Sequence, residues 1–212
     1  MLFRSKRSRV GLLAVASMML VAMIAPAQGQ ALFRFGSKLD DTVQPSNAST
    51  PHECDANPGG VCTWVMNEAY GRPDGGEKSP GRGILKKLRL IANDPGSFRL
   101  FIARAFDAGS NKFEGKVVRK GPVIHYQGQP DPDEPYVVEV FRLGGLHIKI
   151  RKGDRLAVKT NDLTAMRCSS GGNNTLLYSP PLPLGGPFVQ QSNHHEGCWM
   201  LLEAVVRKPI RH

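Results

Sequence analysis

The sequence predicts an all-β protein, an antiparallel two-sheet sandwich of the jelly-roll type, that leaves the cytoplasm. Short runs alternate apolar and polar residues, and clusters of glycine and proline separate them. No segment shows the periodicity of an amphipathic helix. A strand with one buried face needs a period of two, because successive side chains point to opposite faces of the sheet. The pattern therefore favours two packed sheets over a helical fold.

The amino terminus has the layout of a secretory signal. Four basic residues precede an uncharged run over 10–25, and Ala25-Pro26-Ala27 supplies the small residues of a cleavage site. As a helix the apolar run would span roughly 24 Å, less than the hydrocarbon core of about 30 Å. This length argues against the alternative, a membrane anchor. We predict a signal peptide over 1–27, a secreted or cell-envelope protein, and no membrane span after cleavage.

The charge of the chain is basic even without the predicted signal. The signal accounts for four of the +10 formal charges, so the remainder carries +6. Such a surface favours acidic polymers of the cell envelope. We expect no nucleic acid partner, because the basic positions are not interleaved with aromatic residues. The basic residues predicted on the outer face of the strands are Lys87, Arg89, Arg99, Lys149 and Arg151.

Composition divides the rest of the chain into two parts. Residues 28–53 are rich in Ser, Thr, Asn, Gln and Pro, which predicts a flexible, disordered N-terminal segment. Within it, Leu32-Phe33-Arg34-Phe35 is an apolar island that is either an added edge strand or loose chain. Residues 54–208 form the predicted β-sandwich domain.

The alternating pattern predicts a series of strands in this domain. A turn at Asn93-Asp94-Pro95-Gly96 predicts a hairpin of its two flanking strands, and Lys152-Gly153-Asp154 predicts a second hairpin. Residues 169–192 are predicted to be a long loop that contains Leu176-Leu177-Tyr178. The predicted strands are 63–69, 84–92, 97–106, 116–126, 136–143, 146–151, 155–160, 163–168 and 197–206.

Four cysteines in an exported chain predict two disulfides. Three pairings are open, and proximity in sequence favours Cys54 with Cys62 and Cys168 with Cys198. A zinc site is the alternative, but it would need closely spaced Cys-x-x-Cys or histidine ligands, and the sequence lacks that spacing.

One local motif resembles a motif of known secreted modules. Gly153-Asp154-Arg155-Leu156 resembles the Gly-Asp-x-Leu hairpin of secreted jelly-roll and galactose-binding-like modules. The wider layout, closing on residues 197–202, is similar to small exported β-sandwich proteins of actinobacterial type. The resemblance implies a fold and export, and no activity. From the residues themselves, Asp154 is expected to be structural and to accept hydrogen bonds from nearby backbone amides.

The candidate ligand-binding residues are Tyr178, His194 and His195. Tyr178 lies in the predicted loop, where its ring would be exposed, whereas Trp64 and Trp199 are expected in the core. His194 and His195 precede a predicted strand. Adjacent residues of an extended chain point in opposite directions, which disfavours a metal ion shared by the two imidazoles.

Acidic residues in one loop are the candidate metal ligands. Asp131, Asp133 and Glu134 supply the carboxylate oxygens that calcium prefers. The loop is stiffened by proline and lacks the glycine of a calcium-binding loop, so an exposed acidic turn is the alternative.

The sequence predicts no catalytic residue and no cofactor. It contains neither the Gly-x-Ser-x-Gly elbow nor the His-Glu-x-x-His helix. We predict a secreted, non-catalytic binding module whose partner is an acidic polymer, a glycan or a protein of the envelope. One alternative is a hydrolase with an unrecognised site that uses His125, Asp154 or His195. The other is a structural protein that self-associates into a homo-oligomer.

Overall fold

The computed structural model describes residues 31–40, 43, 45, 52–54, 60–73, 75–110, 112–129, 136–168, 174–191 and 195–209. The predicted signal lies outside them. A 3₁₀ turn at Gly144–Leu146 is the only helical element among them, so the all-β prediction is confirmed. The strands are β1 (Leu32–Gly36), β2 (His52–Glu53), β3 (Cys62–Met66), β4 (Gly83–Leu90), β5 (Gly96–Gly109), β6 (Lys112–Tyr126), β7 (Glu139–Arg142), β8 (Lys149–Ile150), β9 (Arg155–Thr160), β10 (Asp162–Leu163), β11 (Met166–Cys168), β12 (Thr175–Tyr178), β13 (Val189–Gln190), β14 (His195–Glu196), β15 (Cys198–Met200) and β16 (Leu202–Arg207).

The strands form two large antiparallel sheets and two short ribbons. The five-stranded sheet has the order β1-β16-β4-β7, with β8 also paired to β4. The seven-stranded sheet has the order β13-β6-β5-β9-β3-β12-β14. The ribbons are β2 with β10 and β11 with β15. Strands distant in sequence are therefore neighbours in both sheets.

Both sheets contribute side chains to one main core. Leu85 and Leu88 come from the five-stranded sheet, and Trp64, Leu100 and Leu156 come from the seven-stranded sheet. All five are fully buried. The expectation that Trp64 packs in the core is confirmed.

A second hydrophobic cluster covers the other face of the seven-stranded sheet. Val65, Phe101 and Ala157 belong to it, whereas their chain neighbours Trp64, Leu100 and Leu156 belong to the main core. Since side chains alternate across a strand, the two sets lie on opposite faces. We call this face the outer face and its cluster the outer cluster. Leu182, from the segment after β12, packs onto it. The middle of the seven-stranded sheet is therefore buried on both faces.

Neither predicted hairpin forms. β4 pairs with β7, β8 and β16, and β5 pairs with β6 and β9. Likewise β8 pairs with β4, whereas β9 pairs with β3 and β5. At both turns the chain passes from the five-stranded to the seven-stranded sheet. The flanking strands belong to different sheets that contribute to the same main core, so each shows the alternating pattern that a hairpin strand would show.

Two segments predicted to be irregular are strands. β1 pairs with β16 at the edge of the five-stranded sheet and buries Phe35, so residues 31–40 are not a flexible lead and the domain begins before residue 54. β12 lies inside the predicted 169–192 loop and pairs with β3 and β14. All four of its residues are buried. A strand of four residues buried on both faces has no alternation from which to predict it.

The cysteines form the two disulfides that proximity favoured. Cys54 is bonded to Cys62 and Cys168 to Cys198, with Cα–Cα distances of 5.8 and 3.9 Å. Cys168 and Cys198 are directly opposite each other in the β11–β15 ribbon. Paired cysteines of this kind are typical of an oxidising compartment.

Candidate functional site

A large concave surface lies at one end of the outer face. It encloses about 850 Å³. Its wall is the 67–78 segment, its sides are the end of β5 and the start of β6, and Gly153, Arg155 and Trp199 complete it. We call it the Arg155 cavity, because that residue is the most buried charge in it.

Arg155 is the first residue of β9 and lies two positions before Ala157, on the outer face. Only 4% of the residue is exposed. Its Nη1 donates hydrogen bonds to the carbonyl oxygens of Met66 (3.0 Å) and Asn67 (2.9 Å), and Nη2 lies 3.5 Å from the Glu77 carboxylate. Nε is buried and has no hydrogen-bond partner.

Burial affects the pKa of Arg155. Burial lowers the pKa of the guanidinium, and the Glu77 carboxylate opposes that shift. A buried N–H without an acceptor is costly, in the range of about 1–3 kcal/mol. The unpaired Nε is therefore an unsatisfied donor inside the protein, at a residue that lines the cavity.

Asp154 fixes the turn that presents Arg155. Its carboxylate is fully buried, and it accepts hydrogen bonds from the Arg151 backbone N–H (2.7 Å), Arg104 Nε (3.0 Å) and Arg119 Nη1 (2.9 Å). Gly153, at φ 82°, allows the chain to turn just before it. The structural role expected for Asp154 is confirmed, and the two arginines are an addition that the sequence did not suggest.

Aromatic rings form one side of the cavity. Trp199 packs edge-on against Tyr70, with ring centroids 5.6 Å apart, and the Arg167 guanidinium lies 4.9 Å from the Tyr70 centroid. Both rings line the cavity and are half-buried. The expectation that Trp199 is a core residue is therefore wrong. β15 is only three residues long and belongs to a ribbon, so its central residue is not enclosed between the large sheets.

The 67–78 wall is irregular chain held by buried polar groups. Arg72 donates through Nε to the Gly36 carbonyl (2.6 Å) and pairs with Glu203, whose side chain is almost fully buried. Arg89 pairs with the same carboxylate. The Tyr70 backbone N–H donates to the Ser37 hydroxyl, which donates to the Met200 carbonyl. These contacts attach the wall to the five-stranded sheet.

Tyr178 lies behind the cavity and does not line it. The residue belongs to the outer cluster and is 1% exposed, so the expected exposure of its ring is wrong. Its hydroxyl is buried without a hydrogen-bond partner. Burial raises the pKa of Tyr178, and the charge of Arg155 opposes that shift.

Two of the residues proposed for a hydrolase, His125 and Asp154, are far apart. His125 is paired with Ser97 at one end of β5, and Arg155, next to Asp154, is paired with Ala103. Six residues of strand separate these positions, about 20 Å. The Asp154 carboxylate is already occupied by arginines. No serine, histidine or cysteine is found among the described residues that line the Arg155 cavity.

Several predicted site residues lie outside the described part of the chain. They are His194, Asp131, Asp133 and Glu134. For His195 only the backbone is described, paired with Leu176. In the described ranges no three His, Cys, Asp or Glu side chains are grouped to hold a metal ion. The calcium and histidine hypotheses thus stay predictions.

Sequence reasoning missed Arg155, Glu77 and Arg72. One signal was present: Arg155 directly precedes Leu156-Ala157-Val158, an apolar run typical of a strand buried on both faces. A cation at the start of such a strand must find partners within the protein or a ligand.

Comparison with known proteins gives no relative: no family model matches the chain, and no curated protein or solved structure matches it. Within the described residues, no helix has the length and apolar character needed to cross a membrane.

Proposed function

We propose that this protein is an exported, non-catalytic binding module of the cell envelope, and that it binds a glycan in the Arg155 cavity. The observation that carries the proposal is a cavity that combines two half-buried aromatic rings with exposed charged side chains.

The chemistry of the lining supports a sugar. The rings of Trp199 and Tyr70 offer apolar faces or edges for stacking, as a saccharide ring requires. The exposed Lys78 ammonium supplies a donor, and the carboxylates of Glu68 and Asp107 supply acceptors at the same cavity. Donors, acceptors and aromatic surface together are the usual composition of a small-molecule site. The described lining holds no serine, histidine or cysteine, so a Ser-His or Cys-His pair for hydrolysis is missing from it.

Export is supported by the predicted signal and by the two disulfides. The jelly-roll sandwich is part of the same proposal, because the two large sheets share the main core and the chain crosses between them at residues 91–95 and 151–154. A scaffold of this kind commonly carries its ligand sites at surface loops.

The test is a titration of soluble peptidoglycan fragments and a panel of envelope glycans into the purified protein, followed by calorimetry. We expect one glycan class to bind, and Trp199→Ala to weaken it by about tenfold or more, as for truncation of an aromatic anchor. The matched control is Phe33→Ala, which removes a half-buried ring from the five-stranded sheet outside the cavity.

Two results would contradict the proposal. One is that no glycan binds the folded wild-type protein. The other is that Trp199→Ala and Phe33→Ala bind a glycan equally well, which would place the sugar elsewhere. Melting curves of both variants show whether a loss of binding reflects a loss of folded protein.

A further inference from the structure

A second concave surface lies at the opposite end of the outer face. Arg99 and Lys159 line this surface. Lys159 lies at the end of β9, whereas Arg155, at the start of β9, lines the Arg155 cavity. Between the two ends the outer cluster is covered by Leu182. The groove encloses about 540 Å³ and is lined by the end of β9, the start of β5, part of β6 and the 181–184 segment. We call it the basic groove.

Three cations line the basic groove and no carboxylate does, among the residues described. Arg99 and Lys159 are directly opposite each other on paired strands, and Lys120 is opposite Phe101 on the next strand. Like charges at opposite positions repel. The described structure pairs none of the three with an acidic side chain. Arg99 donates only a 3.3 Å hydrogen bond to the Gly121 carbonyl. The groove therefore attracts an anion.

Exposed aliphatic side chains surround these cations. Val61, Val123 and Leu184 line the groove and are 38%, 41% and 55% exposed. The two aromatic residues of the lining, Phe98 and Phe101, are buried. An exposed ring for stacking a nucleic acid base or a sugar is thus missing from the described lining. Apolar side chains beside cations instead match a molecule with an acidic head and a hydrocarbon body.

We propose that the basic groove binds the headgroup of an anionic phospholipid at a membrane surface. Arg99, Lys120 and Lys159 contact the phosphate, while Val123 and Leu184 enter the acyl region. Basic residues near an anionic bilayer surface each contribute to attachment, and aliphatic side chains add burial of apolar area. The site is separate from the Arg155 cavity, so it holds the module at the membrane whether or not the glycan proposal is correct.

The first experiment measures binding to vesicles. The protein is mixed with vesicles of phosphatidylcholine that contain phosphatidylglycerol at about one part in three, or with pure phosphatidylcholine, and bound protein is sedimented. We expect binding to the mixed vesicles alone, decreasing with added salt. The triple variant Arg99→Gln, Lys120→Gln, Lys159→Gln should bind roughly a hundredfold more weakly, about fivefold for each charge removed.

The matched control carries the same loss of charge on the other sheet. Lys87 and Arg142 are also opposite each other on paired strands, and Lys149 is exposed nearby on β8. None of the three lines the basic groove. The variant Lys87→Gln, Arg142→Gln, Lys149→Gln should change vesicle binding by less than about fivefold. Equal losses in the two triple variants would show unspecific charge attraction and overturn the proposal.

The second experiment separates a lipid from a soluble polyanion. Val123→Ser with Leu184→Ser should weaken vesicle binding by roughly tenfold, since two aliphatic contacts are lost, and should leave the weak binding of polyglutamate unchanged. If the aliphatic variant binds vesicles as wild type does, or if polyglutamate binds as tightly as the vesicles, the ligand is an acidic polymer and the lipid assignment is wrong. A circular dichroism spectrum confirms that each variant is folded.

Discussion

The two ends of the outer face hold the same kind of charge in opposite surroundings. At one end Arg155 is almost fully buried, with two carbonyl oxygens and the Glu77 carboxylate as partners. At the other end Arg99 and Lys159 are half-buried, and Lys120 is exposed, without an acidic partner in the described structure. Burial decides which cations must be paired within the protein, because an unpaired charge is stable only where water or a ligand reaches it.

The largest expected effect comes from removing a cation at each end. Arg155→Met should lower the free energy of unfolding by about 3–5 kcal/mol, because Glu77 and two carbonyl oxygens lose a buried partner. Arg99→Met should change it by less than about 0.5 kcal/mol. Urea unfolding followed by tryptophan fluorescence measures both. Similar losses would mean that the two ends do not differ in how their charge is stabilised.

A smaller effect, of the opposite sign, is expected under the Arg155 cavity. Tyr178→Phe removes a buried hydroxyl that has no hydrogen-bond partner, and we expect it to stabilise the fold by about 1 kcal/mol at neutral pH. The matched control is Tyr126→Phe, which removes a hydroxyl bonded to Thr164 and should destabilise the protein. A destabilised Tyr178→Phe would show that the hydroxyl has a partner.

Alkaline pH gives a second measurement at the same residue. Burial raises the pKa of Tyr178 above its ordinary value of 10.0, so the folded protein retains a proton that the unfolded chain releases. The unfolded state is then favoured as the pH rises above about 10, and stability falls there while being unaffected below. Tyr178→Phe should lose less stability than wild type between neutral pH and about pH 11. Equal alkaline losses would contradict the burial of an ionisable hydroxyl.

The smallest effect tests repulsion in the basic groove. Lys159→Gln removes one member of the Arg99–Lys159 pair, and we expect a gain of about 0.2–0.5 kcal/mol at low salt that disappears at high salt. The measurement is the difference in melting temperature between Lys159→Gln and wild type, taken at low and at high salt. A gain that is independent of salt would point to packing and not to charge.

Local sequence patterns predicted where the strands lie better than they predicted which strands pair. The turns at Asn93-Asp94-Pro95 and Lys152-Gly153-Asp154 are present, yet each joins the two large sheets and neither closes a hairpin. The alternation of a strand reports which residues face the core, and it is the same whether the next strand lies beside it or across the core. The pairings that decide this, such as β4 with β16, join residues distant in sequence.

The candidate site was predicted only in part. Asp154 was expected to hold its turn, and its hydrogen bond from the Arg151 amide confirms this. Tyr178 was predicted to be exposed in a loop, but it is buried in a strand. Trp199 was predicted to lie in the core, but it lines the Arg155 cavity. Charge and aromatic content are visible in a sequence, but exposure depends on which distant strands cover a residue.

The order of residues alone predicted an all-β chain and its turns and favoured the observed pairing of the cysteines, because these depend on neighbours, on alternation and on proximity along the chain. Long-range packing decided everything that makes a site. It buried both faces of the seven-stranded sheet at its middle, brought the wall of the Arg155 cavity beside Trp199, and left Arg155 without a full set of partners. The reason is physical: a side chain's solvent exposure and charge partners are set by chain segments that meet only after the sheets assemble.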